Sequence, residues 1–202
     1  EIQTHAHVTR IDLEGRVAAG VHYTRGGEHL TVRATREVLL CAGPIVSPQI
    51  LELSGIGSGD VLAAHGIEVV HDLPGVGEHL TDHLQNRITF ESKLPVTVND
   101  ILNNPLRGAL AGLRYLVLKD GLLARSVATV HALVRSQPDM PHPDIKLQIM
   151  LTSGKDRYAR SRAVGLDPFS GFNIGAFQLY PHSRGSVHIQ PTDPLEPPRI
   201  VA

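Results

Sequence analysis

Apolar and polar residues alternate in short runs through the first forty positions. Residues 5–11 (His5-Ala6-His7-Val8-Thr9-Arg10-Ile11) and 17–23 predict two strands parted by the Glu14-Gly15 turn signal. Gly26-Gly27 then separates the second strand from a third over 30–33. The run Glu37-Val38-Leu39-Leu40-Cys41 is nearly unbroken in its apolar character, as in a strand covered on both faces. It stops at Ala42-Gly43-Pro44. Ser47-Pro48 predicts a helix start, with Ser47 as N-cap and proline in the first turn. Ile50, Leu51 and Leu53 supply that helix's buried face, and Ser54-Gly55 ends it. A second short helix is expected from Ser58 to a stop at Gly66, followed by an extended stretch over 67–71 and a loop over 73–77.

The texture changes near residue 84. Residues 85–92, 128–135, 144–151 and 172–180 read as longer strands. In the third of these, Ile145, Leu147, Ile149 and Leu151 alternate with Lys146, Gln148 and Met150. Pro105 opens a longer helix with Leu106, Leu110, Leu113 and Val117 at helical spacing, closed by Lys119-Asp120-Gly121. Residues 186–190 follow a turn at 183–185, and 191–198 is too rich in proline for regular structure. The expected fold class is α+β in two pieces. An α/β-type portion spans 1–83, and a mostly antiparallel sheet with helices spans 84–202.

Composition narrows the function classes. The chain has 202 residues, of which 42% are hydrophobic and 19% charged, so a core is within reach and disorder is not expected. A net charge of −1 gives no global basic field for nucleic acid. Four per cent aromatics without tryptophan leaves no stacking platform for single strands. No apolar run reaches the roughly 18–20 residues that span a bilayer. The single cysteine, Cys41, excludes an internal disulfide and a cysteine-based zinc site. It fits a reducing compartment, and a cytoplasmic location is the expectation.

Candidate chemistry is sparse. Gly55-Ile56-Gly57 and Gly75-Val76-Gly77 begin a dinucleotide loop, but Asp60 and Leu80 stand where its last glycine belongs, so both read as turns. Glu78, His79, Asp82 and His83 have metal-ligand residue types. Leu80 breaks the zincin pattern, and hydrogen-bonded histidines are the default reading. No nucleophile elbow is present, and Cys41 is expected as an inert buried thiol. More telling is Ala42-Gly43, a small pair where an apolar strand meets a helix. Glycine there permits either close approach of a ligand or tight packing.

The stretch Gly43-Pro44-Ile45-Val46-Ser47-Pro48-Gln49-Ile50-Leu51-Glu52-Leu53-Ser54-Gly55-Ile56-Gly57 resembles the second signature of the glucose–methanol–choline (GMC) oxidoreductases, in their choline dehydrogenase-like branch. The resemblance continues through Leu62, Gly66-Ile67, Val69-Val70, Asp72-Leu73-Pro74-Gly75-Val76-Gly77, Leu80 and Asp82-His83. It extends to His7-Val8-Thr9-Arg10-Ile11 upstream and Ser183-Arg184-Gly185-Ser186-Val187 downstream. The family usually carries Asn where His79 stands and often Gln where Thr81 stands.

This resemblance implies an FAD-dependent alcohol dehydrogenase or oxidase that oxidises a primary alcohol by hydride transfer to flavin, with the alcohol and the electron acceptor left open. It implies a partial FAD-binding domain over 1–83 and a substrate-binding domain, truncated at its end, over 84–202. Cofactor contacts are expected at Val8, through its backbone, and at Ala42 and Gly43. The polar face carrying Gln148 is expected to look into a pocket. The family's opening G-x-G-x-x-G unit and its late catalytic histidine have no counterpart here. The chain is therefore expected to be the middle third of a longer enzyme, without a catalytic or metal-binding residue of its own and inactive alone. The alternatives are a non-catalytic isolated module and a histidine-based metal-binding domain.

Overall fold

The computed structural model describes residues 2–126, 128–154 and 165–202. In chain order the strands are β1 (His7–Glu14), β2 (Val17–Arg25), β3 (Glu28–Arg33), β4 (Ile56–Gly57), β5 (His71–Asp72), β6 (Glu78–Leu80), β7 (Gln85–Glu91), β8 (Ala128–Val134), β9 (Ile145–Met150), β10 (Gly171–Gln178), β11 (Gly185–His188) and β12 (Arg199–Val201). The helices are α1 (Gly43–Leu53), α2 (Gly59–Ala64), α3 (Val98–Leu102) and α4 (Pro105–Leu118), with a 3-10 turn at Leu122–Ala124. The chain divides into two compact units: Glu1–Asp82 with His182–Ala202, and His83–Pro181.

In the first unit β1, β2 and β3 form an antiparallel meander, and β4 and β5 form a short parallel pair. A third sheet orders β12-β11-β6. That sheet corrects the assignment of residues 182–202 to the second piece. Gly185 and Ser186 pair with Leu80 and Glu78, so the C-terminal stretch completes the first unit. Sequence spacing carries no sign of such a return, because the pairing joins residues a hundred positions apart. The buried apolar residues Ile11, Ala19, Ile50, Leu62, Val76, Val187 and Ile189 come from both stretches of this unit.

Helix α1 begins five residues earlier than Ser47-Pro48 suggested, with Ala42 at its N-cap. Pro44 occupies its first turn, where a missing N–H costs nothing, and Pro48 lies inside the helix. Its buried face also differs from the expectation. Gln49, Ile50 and Glu52 are buried, while Leu51 and Leu53 are half-buried. For α2, Ser58 holds the N-cap position without a side-chain bond. The capping acceptor is Asp72 of β5, whose Oδ1 takes the Gly59 N–H at 3.0 Å.

The run over 37–41 does not behave as an inner strand. It pairs with no strand among the described residues, Leu39 is 74% exposed, and Cys41 is exposed rather than a buried thiol. An apolar run records surface that needs covering. It does not record which neighbour does so, and no ladder partner flanks this one.

The second unit is an antiparallel sheet ordered β7-β10-β9-β8 with α3 and α4 beside it in sequence. Its best-buried residues are polar. Asn99, at the second position of α3, accepts from Thr152 Oγ1 and the Ser153 N–H, both at 3.0 Å, and donates to the carbonyls of Ser153 and Asp167. Thr97 caps α3 in a reciprocal box with Asp100. Asn104 caps α4 through the N–H groups of Leu106 and Arg107, and Lys119, at φ +54°, ends it. No helix among the described residues is long and apolar enough to cross a membrane.

Candidate functional site

Strand β1 does not run straight past Val8. Its register with β2 shifts between Val8 and Arg10, which marks a β-bulge at Thr9, whose hydroxyl bonds to the His22 carbonyl. A bulge re-aims the backbone and side chains on either side of it, and bulges recur at binding sites for that reason. Val8 lies on the edge of a hollow of about 330 Å³, whose walls include Ile11 of β1, Leu39 to Ala42, and Ile50 of α1. Two of the three residues singled out from sequence, Val8 and Ala42, therefore meet at one cavity although 34 positions apart. Gly43 follows Ala42 directly and opens α1.

Gly43 adopts φ +81°, a left-handed conformation, and among the described residues nothing beyond its chain neighbours and its own helix backbone lies within 4 Å of where its Cβ would stand. Its neighbours therefore do not require a glycine there for packing. What requires it is the backbone conformation, and the space beside it is open. Ala42 holds the N-cap position and has no side chain able to cap the first-turn N–H groups of α1.

The glycines of the two abortive dinucleotide loops have a different explanation. At Gly55 (φ +78°) a Cβ would stand 2.5 Å from the Glu68 carbonyl, and at Gly77 (φ +79°) 2.3 Å from the Val187 carbonyl. Both are places where backbones cross closely, which accords with their reading as turns.

Three polar side chains of α1 fix its position, and sequence reasoning missed all of them. Ser54 Oγ accepts the Ile11 N–H at 2.8 Å and so ties the helix end to β1. Gln49 donates to the Glu196 carbonyl at 2.7 Å. Glu52, fully buried, accepts from the Ile189 N–H at 2.8 Å and from His188 Nδ1 at 2.6 Å, while His188 Nε2 reaches Glu78 at 3.0 Å. Carboxylates only accept hydrogen bonds, so both bonds together require the imidazolium form. Partial burial works against the charge. The hydrogen bonds and charges of Glu52 and Glu78 outweigh it and hold His188 above its ordinary value of 6.5. The available signal was the spacing of Gln49 and Glu52, three apart within an apolar run.

The remaining candidates separate. Glu78 faces His188, His79 adopts φ +61°, and among the described residues no three His, Cys, Asp or Glu side chains gather to hold a metal. Gln148 stands on β9, opposite Gly175 of β10 and His131 of β8.

Residues 1–85 match the family model described as GMC oxidoreductase. That stretch belongs to the GMC oxidoreductase family. The GMC-matched stretch contains Val8, Ala42 and Gly43 and ends at the start of the second unit. The chain is 38% identical over 204 residues to the oxygen-dependent choline dehydrogenase of Burkholderia cenocepacia (strain HI2424), covering 100% of this chain and 34% of the relative. It thus spans about a third of the length of the curated relatives it matches.

Among solved GMC-like structures, formate oxidase from Aspergillus oryzae RIB40 superposes with a TM-score of 0.84 at 21% identity, covering 96% of this chain and 38% of that one. Pyridoxine 4-oxidase from Mesorbium loti superposes at 0.70 with 25% identity, covering 97% and 33%. The α+β architecture is that of these neighbours.

Proposed function

We propose that this chain supplies part of the FAD cradle and the substrate-domain sheet of an oxidoreductase that oxidises a primary alcohol by hydride transfer to flavin. The observation that carries the reading is the hollow edged by Val8 beside the Thr9 bulge, walled by Leu39 to Ala42, the residues just before the left-handed Gly43. Family membership and the choline dehydrogenase relatives support it, and FAD modification in the Aspergillus formate oxidase supports flavin as the cofactor.

The residues present suit an adenosine-bearing cofactor. An apolar wall meets a flat base, a bulged strand turns backbone groups toward it, and Gly43 leaves room where a side chain would intrude. In this reading Val8 holds the base end through its backbone, and Ala42 and Gly43 line the part nearer the phosphates, at the uncapped start of α1. FAD, when bound, supplies the hydride acceptor. The protein's share is positional. Ser54 keeps α1 against β1, and Glu52 with His188 keeps α1 against β11, so both walls of the hollow are fixed. The second unit, through the sheet carrying Gln148, takes the alcohol. The choline dehydrogenase relatives favour a small polar alcohol.

The test is to purify the product of the complete reading frame and record its absorption spectrum, then add primary alcohols without oxygen. The expected result is a flavin spectrum that bleaches with at least one alcohol. A colourless protein that takes up no FAD overturns the reading.

A further inference from the structure

The register of the second unit's sheet aligns four residues in a row across one face: Arg87 of β7, Gly175 of β10, Gln148 of β9 and His131 of β8. In the next row on that face, Phe177 stands opposite Lys146 on one side and Gln85 on the other. The two rows close up around Gly175. A Cβ there would stand 3.4 Å from Cε2 of Phe177 and 3.5 Å from Cγ of Arg87, so the ring and the arginine stem lean in over the glycine. Nζ of Lys146 lies 5.3 Å from the centre of the Phe177 ring. Both cations are thereby drawn toward the middle of the sheet.

Their partners are neutral. Arg87 donates to the side-chain carbonyl of Gln85, and Lys146 sits on the face of an aromatic ring. Neither is paired with a carboxylate among the described residues. The acids on this face stand at its margins. Glu91 lies four residues along β7 from Arg87, about 13 Å away. Asp144 precedes β9 and is already held by the Ser136 N–H at 2.7 Å and the Ser136 hydroxyl at 2.5 Å. Among the described strand positions, the middle of the face therefore carries two cations, a histidine and an amide, with no acid, in a chain whose net charge is −1.

Resting on the reading of this sheet as the one that takes the alcohol, we propose that the substrate is a primary alcohol carrying an anionic group, a carboxylate or a phosphate, held by Arg87 and Lys146. The guanidinium fork matches two oxygens of either anion, and the ammonium adds a point charge beside it. Gln148, between the glycine and His131 in the row, offers a neutral donor and acceptor to the rest of the molecule. A quaternary-ammonium alcohol fits less well. Such a cation is recognised by an aromatic face or a carboxylate. Here Lys146 already occupies the Phe177 face, and the carboxylates stand at the margins. The substrate class thus differs from the one that names the choline dehydrogenases to which the chain is similar.

The test is calorimetric titration of the product of the complete reading frame with γ-hydroxybutanoate, hydroxyethyl phosphate, butanediol and choline, beside steady-state oxidation of the same four. The favoured anionic alcohol is expected to bind about tenfold more tightly than butanediol, with choline weaker than the diol. The tighter of the two anions says whether the group is a carboxylate or a phosphate. Arg87→Gln, at an exposed site, and Lys146→Gln are each expected to remove most of that preference, seen in KM, and to leave butanediol unaffected. Lys146→Arg keeps the charge and is expected to keep the preference. Should Lys146→Gln fail to fold, Arg87→Gln decides alone. No binding of either anion overturns the proposal. So does choline or butanediol binding as tightly as the anions, or a preference that survives the glutamine substitutions in a folded protein. Anion-selective binding without oxidation of any of the four contradicts the functional reading and leaves this site standing. Preferential oxidation of choline leaves that reading standing and overturns this proposal.

Discussion

The Nδ1 of His188 lies 2.6 Å from Oε1 of Glu52, a carboxylate with no solvent exposure. The pair joins the last turn of α1 to the end of β11, elements 136 residues apart in sequence. Glu78 on β6 accepts the second ring proton, and Arg199 of β12 stands opposite His188 in the ladder. A buried carboxylate held this way needs its cation. His188→Ala is expected to cost on the order of 3 kcal/mol, because it strands Glu52. Chemical denaturation near pH 6 measures the loss, and a cost no larger than that of an exposed substitution contradicts it.

The same contact makes the first unit's stability depend on pH. The folded-state pKa of His188 is raised, so its contribution is complete below the unfolded value, near 6.5, and is lost as pH rises through the folded value. The melting temperature should therefore fall as pH climbs from about 6.5. His188→Arg keeps its charge throughout, so it should flatten this part of the profile. Equal slopes for both proteins would exclude His188 as the source.

His79 is a position where local conformation and residue type disagree. At φ +61° its backbone favours Asn or Gly, and the family resemblance already marks Asn as the usual residue there. His79→Asn is expected to raise stability by about 0.5 kcal/mol, seen as a small rise in melting temperature. A fall would mean that the imidazole makes a contribution exceeding its backbone cost.

In the second unit Asn99 answers five partners from a fully buried position. Asn99→Ala leaves the Ser153 N–H and the Asp167 carbonyl without it, at a cost of about 3 kcal/mol. Asn99→Asp retains the acceptor toward Thr152 and Ser153 and loses the donor toward the carbonyls. Hydrogen exchange at Ser153 should rise in the alanine variant and stay slow in the aspartate one.

What the sequence made legible follows from range. The meander of β1 to β3 and the strands β7 to β10 were readable because turn glycines and period-two alternation are local signals. The junction at Ala42-Gly43 was readable because an apolar run ends there abruptly. The return of residues 182–202 to the first unit was not, since only the long-range pairing of β11 with β6 encodes it. Gln49 and Glu52 are buried, yet the sequence marked only Ile50, Leu51 and Leu53 for that face of the helix. The partners of Glu52 and Gln49, His188 and the Glu196 carbonyl, lie too far along the chain for periodicity to reveal them. The leucines of α4 have the spacing of a buried face, yet Leu106, Leu110, Leu113 and Val117 are all exposed.

The account rests most heavily on Gly43 lying against the cofactor. Gly43→Asn separates the backbone from the space beside it. Asn tolerates φ +81° better than other side chains, so folding should change little, yet its amide enters the open region next to Ala42. Gly26→Asn makes the same change at a left-handed glycine (φ +59°) in the β2–β3 turn, away from the hollow, and should alter stability by less than about 0.5 kcal/mol. The deciding measurement is the flavin-to-protein absorbance ratio of both variants, made in the product of the complete reading frame and read beside a thermal melt. A several-fold lower flavin ratio is expected for Gly43→Asn and an unchanged one for Gly26→Asn. Full flavin occupancy in a folded Gly43→Asn protein would contradict it.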